Sequence, residues 1–310
     1  MDLRQLRYFI AIVDCGSLSK AAERLHIAQP SLSQQIAAME SELSVPILLR
    51  SSQGVAATQA GMTLYRHARQ VLRQLEQLRV EVGQAGEGEV GTVTIGLPTS
   101  VAAIVAVPLY RAVRLQHPGI RLNIIESMSG NLMDLLASQR LDLAVLFREV
   151  ESRGVAVLPL LRDSLAIYGV ESMLTRAGKR LNRIHDLDGV PLVLPGPSNG
   201  LRIHVEKLFA RSGTHLNVVA DIDALPTLIA IVAEGAACTV LSEALGPMCG
   251  PAIATGIRLE DSGADRPVSL CWSTASAPNS AVDAVRRIVA AVCAQAVDDG
   301  SWAGAHRLDL

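Results

Sequence analysis

Apolar positions along the chain fall into three successive rhythms. At the start, Leu3, Leu6, Phe9, Ile10 and Val13 recur at helical spacing and stop near Gly16, which predicts one amphipathic helix. Ser17 is placed to cap a second, whose apolar face is Leu18, Ala21, Ala22 and Leu25. After the turn His26-Ile27-Ala28, Gln29-Pro30 opens a third helix, with Leu32, Ile36, Met39 and Leu43 on its inner side; a proline in the first turn costs nothing, because its missing N–H would be unpaired there anyway. Two short helices joined by a tight turn, with alanines where they cross, predict a helix-turn-helix from Leu18 to Ala37. Pro46-Ile47-Leu48-Leu49-Arg50, a Ser51-Ser52-Gln53-Gly54 turn and Val55-Ala56-Ala57 predict a small β-hairpin, or wing, behind it.

The second rhythm occupies 58–85. Thr58 caps its start, no proline interrupts it, and Leu64, Ala68, Val71, Leu75, Leu78 and Val82 repeat alternately every four and three residues. That 3.5-residue period is the seam of a coiled coil, so a second copy of the chain is the expected partner. About 27 residues at 1.5 Å each make a rod of roughly 40 Å, enough to hold two heads near the ~34 Å spacing of successive major grooves. Gly83-Gln84-Ala85-Gly86-Glu87-Gly88-Glu89 then ends the helix.

From Gly91 onward short β-rich runs alternate with helical ones, the mark of an α/β domain with a mainly parallel sheet. Strands are predicted at 90–97, 120–126 and 141–146, with helices at 101–115 and 131–139 between them. A second unit beginning near Asp163 carries strands at 191–195, 217–220 and 238–241 and helices at 201–210 and 225–234; a strand at 267–272 and a helix at 281–294 return to the first. The resulting organisation is a winged helix-turn-helix over 1–58, a linker helix and hinge over 59–88, one effector subdomain over 89–162 plus 267–300, a second over 163–266, and a tail at 301–310. Two α/β lobes joined by crossing strands leave a cleft at the strand ends, where ligands of open sheets bind. The loops arriving there supply Thr99, Ser100, Ser129, Ser198 and Asn199 before helices, with Arg202 or Arg148 nearby, a set suited to a small anion.

Composition narrows the classes. The 310 residues are 49% hydrophobic and 19% charged with a net charge of −2, so neither disorder nor a polycationic nucleic-acid coat fits. Within the first 73 residues, however, eight basic residues stand against five acidic ones, a local positive bias suited to a DNA-contacting head. The second helix of such a motif lies in the major groove. Gln29, Pro30, Ser31, Ser33, Gln34 and Gln35 occupy its outward leading end, where glutamine can pair with adenine and serine with several bases. Arg50 and Gln53 on the wing are placed for phosphates or the minor groove. Five cysteines without CxxC spacing and seven histidines without a metal-ligand pattern leave no metal or cofactor expected. No run approaches the roughly 18 apolar residues of a membrane span, and the chain is expected in the cytoplasm without a membrane partner.

Two catalytic look-alikes are set aside. Gly86-Glu87-Gly88-Glu89-Val90-Gly91 spells GxGxxG but precedes a strand and carries acids that would repel pyrophosphate. Gly196-Pro197-Ser198-Asn199-Gly200 spells GxSxG between strand and helix, but His306 is the only histidine downstream of Asp221 and Asp223, and no HGGG loop exists. No catalytic residue is therefore expected. The competing class, a small-molecule-binding protein or GxSxG hydrolase with an appended helix-turn-helix, predicts turnover or ligand uptake without any dependence on DNA.

Leu6-Arg7-Tyr8-Phe9, Gly16-Ser17-Leu18-Ser19-Lys20-Ala21-Ala22, the stretch His26 to Ile36, Glu40-Ser41-Glu42-Leu43, Leu48-Leu49-Arg50 and Thr58-Gln59-Ala60-Gly61 together resemble the LysR-type transcriptional regulators. Ile12-Val13-Asp14, Ala28 to Gln35 and Tyr65-Arg66-His67-Ala68-Arg69 resemble most the nitrogen assimilation control subgroup. The resemblance implies a homo-oligomer, dimer or tetramer, on an interrupted palindrome of double-stranded DNA, with RNA polymerase as a further partner. It also implies a two-lobed effector domain like that of periplasmic binding proteins, with a small-molecule inducer cleft. The family pattern often has a basic residue where this chain has Gln34.

Overall fold

The computed structural model describes residues 1–51, 54–83, 89–149, 154–176, 179–253, 256–275 and 278–308. The amino-terminal unit is three helices and a hairpin: α1 (Leu3–Cys15), α2 (Leu18–Leu25), α3 (Gln29–Leu43), β1 (Leu48–Ser51) and β2 (Gly54–Ala57). The long helix α4 (Gln59–Gly83) follows. Each early helix stops at a residue in the left-handed region, Gly16 after α1, His26 after α2 and Ser44 after α3, so the chain reverses sharply twice within thirty-odd residues. Phe9, Ile12, Ala21, Leu32, Ile36, Met39 and Ile47 are buried together as the head's own core.

The larger part contains β3 (Gly91–Leu97), α5 (Thr99–Gln116), β4 (Ile120–Glu126), α6 (Ser129–Ala137), β5 (Leu143–Leu146) and the long β6 (Val155–Tyr168). The second lobe follows with α7 (Glu171–Leu174), β7 (Thr175–Arg176), β8 (Lys179–Arg180), β9 (Pro191–Leu194), α8 (Gly200–Ser212), β10 (Asn217–Asp221), α9 (Leu225–Ala233), β11 (Thr239–Ser242) and β12 (Ile257–Arg258). The chain closes with β13 (Asp265–Ser273), α10 (Ser280–Asp298) and β14 (Ala305–Arg307).

One continuous sheet runs in the order β11-β6-β13-β5-β3-β4, with β12 and β14 also paired to β6. The sheet is mixed where a mainly parallel one was expected. β3 lies parallel to β4 and β5, but β13 runs antiparallel to both β5 and β6; β6 and β13 cross between the lobes in opposite directions and therefore pair antiparallel. The boundaries placed at 162/163 and 266/267 fall inside these two crossing strands, and Asp163 and Arg266 are direct cross-strand neighbours. Each lobe keeps its own core: Val93, Ile95, Val105, Val268, Val285 and Val289 in the first, Ile167, Leu192, Leu194, Phe209 and Val232 in the second.

Residues 301–307 of the segment set apart as a tail are part of the fold. Trp302 is 2% exposed, and Ala305, His306 and Arg307 pair with Asp163, Arg162 and Leu161 of β6.

Candidate DNA-reading head and effector cleft

The head is assembled by local devices. Asp2 and Gln5 form a reciprocal cap on α1, at 2.8 and 3.0 Å, and the Ser17 hydroxyl accepts from the Lys20 N–H as the cap of α2. Glu40 of α3 turns one carboxylate oxygen, Oε1, onto the backbone N–H groups of Ile47 (2.8 Å) and Leu48 (3.2 Å), which fixes where the wing begins. Val55 N–H donates to the Gly16 carbonyl at 2.9 Å. At Gly54, with φ of 131°, a Cβ would stand 2.6 Å from that same oxygen. Only glycine lets the wing close onto the α1–α2 turn.

On this frame Gln29, Pro30, Ser31 and Gln34 are exposed and Ser33 and Gln35 half-buried, all on α3. The structure brings Arg50 of the wing to the same place, its Nη1 donating to Ser33 Oγ at 3.5 Å. Gln53 lies outside the described residues. Two residues that the pattern alone did not single out orient the reading face: Ser19 donates to Gln29 Oε1 at 3.1 Å, and Gln5 Nε2 donates to Gln35 Oε1 at 3.0 Å. Their signal was tertiary, since Gln5 is 30 positions from its partner. Gln34 stays exposed at the helix's outer side.

Helix α4 is bolted to the head and then leaves it. Thr58 Oγ1 donates to Pro46 O (2.8 Å) and accepts from Gly61 N–H (2.9 Å); a Cβ on Gly61 would lie 2.0 Å from the Ile47 carbonyl oxygen. Tyr65 donates to Asp14 at 2.5 Å and accepts from Arg69 at 3.1 Å, and burial followed by the Asp14 bond holds the Tyr65 phenol above its ordinary pKa. The predicted seam divides accordingly. Ala68 is buried in the head core, whereas Val71 and Leu78 are 42% and 56% exposed; the Val82 side chain lies outside the described residues. Exposed Val71 and Leu78, with half-buried Leu75 between them, are apolar surface of the kind a partner helix covers.

The second site is the cleft between lobes, about 580 Å³ including its opening to solvent. Thr99, Ser100, Ser129 and Asn199 line it with Phe147, Leu225, Leu228 and Leu245. Four helices start at its wall, and three of them, α5, α6 and α9, have no side-chain cap on their first turn. The positive dipole ends of these helices, with first-turn N–H groups that no side chain caps, make the wall attractive to an anion. Ser198 is exposed on the loop beside the cleft, and among the described residues no histidine hydrogen-bonds to it. Arg202 is turned away and already occupied, 2.7 Å from both Asp221 and Glu206. Arg148 borders a neighbouring surface hollow with Met133 and Glu149.

The cation that does reach the cleft is Arg266. Its side chain is 4% exposed and lies 2.9 Å from Asp163, which is 1% exposed. The guanidinium stacks 3.5 Å from the Phe147 ring centre and donates from Nη2 to Ser100 Oγ at 3.1 Å. Burial lowers its pKa, opposed by the Asp163 charge. Asp163 also accepts from Ser242 Oγ (2.7 Å) and Trp302 Nε1 (2.9 Å). Ser100 was nominated from the sequence, but nothing local marked Arg266 or Asp163 for the cleft, because they meet across 103 positions.

Buried thiols complete the effector part. Cys238, Cys249 and Cys271 are pushed up by burial to about 11 and Cys293 to about 12, and none is in a disulfide. Low-pKa, accessible thiolates are what oxidation requires, so these four are packing groups. Among the described residues no helix is long and apolar enough to cross a membrane.

Comparison with known proteins bears on both sites. Residues 3–62 match the family described as bacterial regulatory helix-turn-helix protein, lysR family, and residues 86–294 match the LysR substrate binding domain. The nitrogen assimilation regulatory protein nac of Klebsiella aerogenes is 35% identical over 93% of this chain and 94% of its own length. Its Escherichia coli K12 counterpart is 36% identical over 81% of each. A full-length OxyR variant from Pseudomonas aeruginosa superposes with a TM-score of 0.73 at 21% identity, covering 100% of this chain and 99% of that one. The LysR family transcriptional regulator CbnR gives a TM-score of 0.64 at 22% identity, covering 93% and 99%.

Proposed function

The chain belongs to the LysR-type transcriptional regulators and is a DNA-binding regulator of transcription; from that premise we propose that it reads an interrupted palindrome as a homo-oligomer and answers to a small carboxylate in its cleft. The observation that carries the DNA part is the single outward face on which Gln29, Ser31, Ser33 and Gln34 of α3 stand beside Arg50 of the wing. A face with glutamines at the helix start and an arginine at its flank divides the work between base edges and backbone. Two such faces, paired through the bare stripe Val71–Leu78 of α4, favour a two-fold site. Its relatives named for nitrogen assimilation support a role in that regulon. The setting is the cytoplasm, and contact with RNA polymerase is the step by which bound protein changes transcription.

For the cleft, the uncapped starts of α5, α6 and α9 and the guanidinium of Arg266 support a carboxylate-bearing effector, with Thr99, Ser100, Ser129 and Asn199 as its hydrogen-bonding wall. Such a molecule regulates only by binding two arrangements of the oligomer unequally. The buried thiols favour ligand occupancy over thiol oxidation as the switch.

The test is binding of the intact protein to operator and scrambled fragments across a salt series. Gln34→Ala is expected to cost about 1–3 kcal/mol on operator alone. Arg50→Ala is expected to weaken both fragments alike and to lower the salt slope by about 1. Equal losses from both variants on both fragments would remove the division of roles.

A further inference from the structure

We infer that the carboxyl-terminal segment, through Trp302, positions the cation of the effector cleft. This rests on the carboxylate reading of the cleft and goes beyond it by naming what sets the cleft's affinity. Arg266 is held on three sides, by the Phe147 ring at 3.5 Å, by Asp163 at Nε (3.0 Å) and Nη2 (2.9 Å), and by Ser100 at Nη2. Its Nη1 has no protein partner among the described residues, and Arg266 belongs to the cleft wall. That edge is what an incoming carboxylate would meet. Where it points is decided by Asp163, and the Asp163 carboxylate is in turn fixed at Oδ1 by Ser242 and Trp302.

Trp302 reaches this place from the segment after α10, packed into the core of the first lobe. Its segment is held to β6 by the pairing of Ala305 with Asp163, to the end of α10 by the Arg307–Asp298 ion pair, and to the turn after β11 by the close approach of Gly304, where a Cβ would stand 2.2 Å from Glu243 Oε2. Filling the space under the cleft asks only for a large apolar side chain. The indole N–H aimed at the carboxylate that orients Arg266 is what filling does not require. With that bond two donors from different segments fix Oδ1 and the guanidinium is preorganised; without it the rotatable Ser242 hydroxyl alone holds Oδ1, so the carboxylate can turn and the cation follows. A fixed donor binds an anion more tightly than one that must be ordered on arrival.

The experiment titrates full-length protein with acetate, benzoate and succinate, using ethylammonium as the cationic control, in four backgrounds: native, Trp302→Phe, Arg266→Lys and the double variant. Trp302→Phe is expected to weaken the carboxylates on the order of five- to tenfold in the native background and to change nothing once Arg266 is lysine. An equal loss in both backgrounds means Trp302 only fills space, and no loss in the native background means it does not act on the site; either overturns the inference. If no carboxylate binds native protein, the cleft reading itself fails, and the positioning role is judged without ligand. The chain has two tryptophans, so Trp272→Phe leaves Trp302 as sole emitter. Its spectrum must then move when Arg266→Lys, or Ser100→Ala should the lysine variant not fold, alters the far side of the pair. An unmoved spectrum overturns the inference.

Discussion

Removing the carboxylate under the cleft is expected to be among the most damaging single changes in the chain. Asp163 and Arg266 have side chains 1% and 4% exposed, so solvent screening does not soften their interaction. Asp163→Ala leaves a buried guanidinium without its counter-charge and strands the Ser242 hydroxyl and the Trp302 N–H as donors. Breaking one side of such a pair costs about 3–5 kcal/mol, because the remaining charge keeps its desolvation penalty and loses its compensation. Urea unfolding of the intact protein, followed by tryptophan emission, reads this directly, since Trp302 sits on the carboxylate itself. The informative comparison is Asp163→Leu with Arg266→Met, which removes both charges and is expected to recover most of the loss. Glu171→Ala, breaking an ion pair whose side chains are 60% and 64% exposed, is expected to change almost nothing. A cost below about 1 kcal/mol for Asp163→Ala, or a double variant no more stable than the single, would refute this account of the buried pair.

Two further outcomes follow from burial elsewhere. Burial raises the folded-state pKa of Cys238, Cys249 and Cys271 to about 11 and of Cys293 to about 12, so the native state holds these protons more tightly than the unfolded chain. Stability from this source is full below the ordinary thiol range and is lost as pH climbs towards 11; a thiol reagent at mildly alkaline pH should label the four only after denaturation, and rapid labelling of native protein would contradict it. On α4, Leu78→Glu replaces a 56% exposed apolar side chain on the bare stripe. Light scattering behind a sizing column is expected to show a shift towards monomers without loss of helix, whereas an unchanged assembly would place the pairing surface elsewhere.

What could be read from the chain alone was whatever depends on neighbours within a few residues. The Ser17 cap, the Gly16 stop, the proline in the first turn of α3 and the inward row Leu32, Ile36 and Met39 fixed the head, because helix geometry converts local spacing directly into facing. The strand Ile120–Glu126 was equally visible as a short apolar run with a clean start. The strand β6 was not. Pro159 and the polar Arg162-Asp163-Ser164 look like breaks, yet the register slip between Val268 and Ser269 falls opposite Pro159, where a missing N–H is tolerated. The polar trio continues because Asp163 finds its partners on β11, on β13 and in the segment before β14.

Those partners lie 79, 103 and 139 positions away in sequence, and no local rule connects them. Spacing could therefore nominate Thr99, Ser100, Ser129 and Asn199 as residues at helix starts, a property of the helix itself. It nominated Arg202 or Arg148 and passed over Arg266, since which arginine reaches the cleft depends on which acids the folded chain has already placed beside each. Patterns in the sequence determined the elements and the direction of their apolar faces; the neutralisation of one cation and the availability of another were decided only when distant strands met.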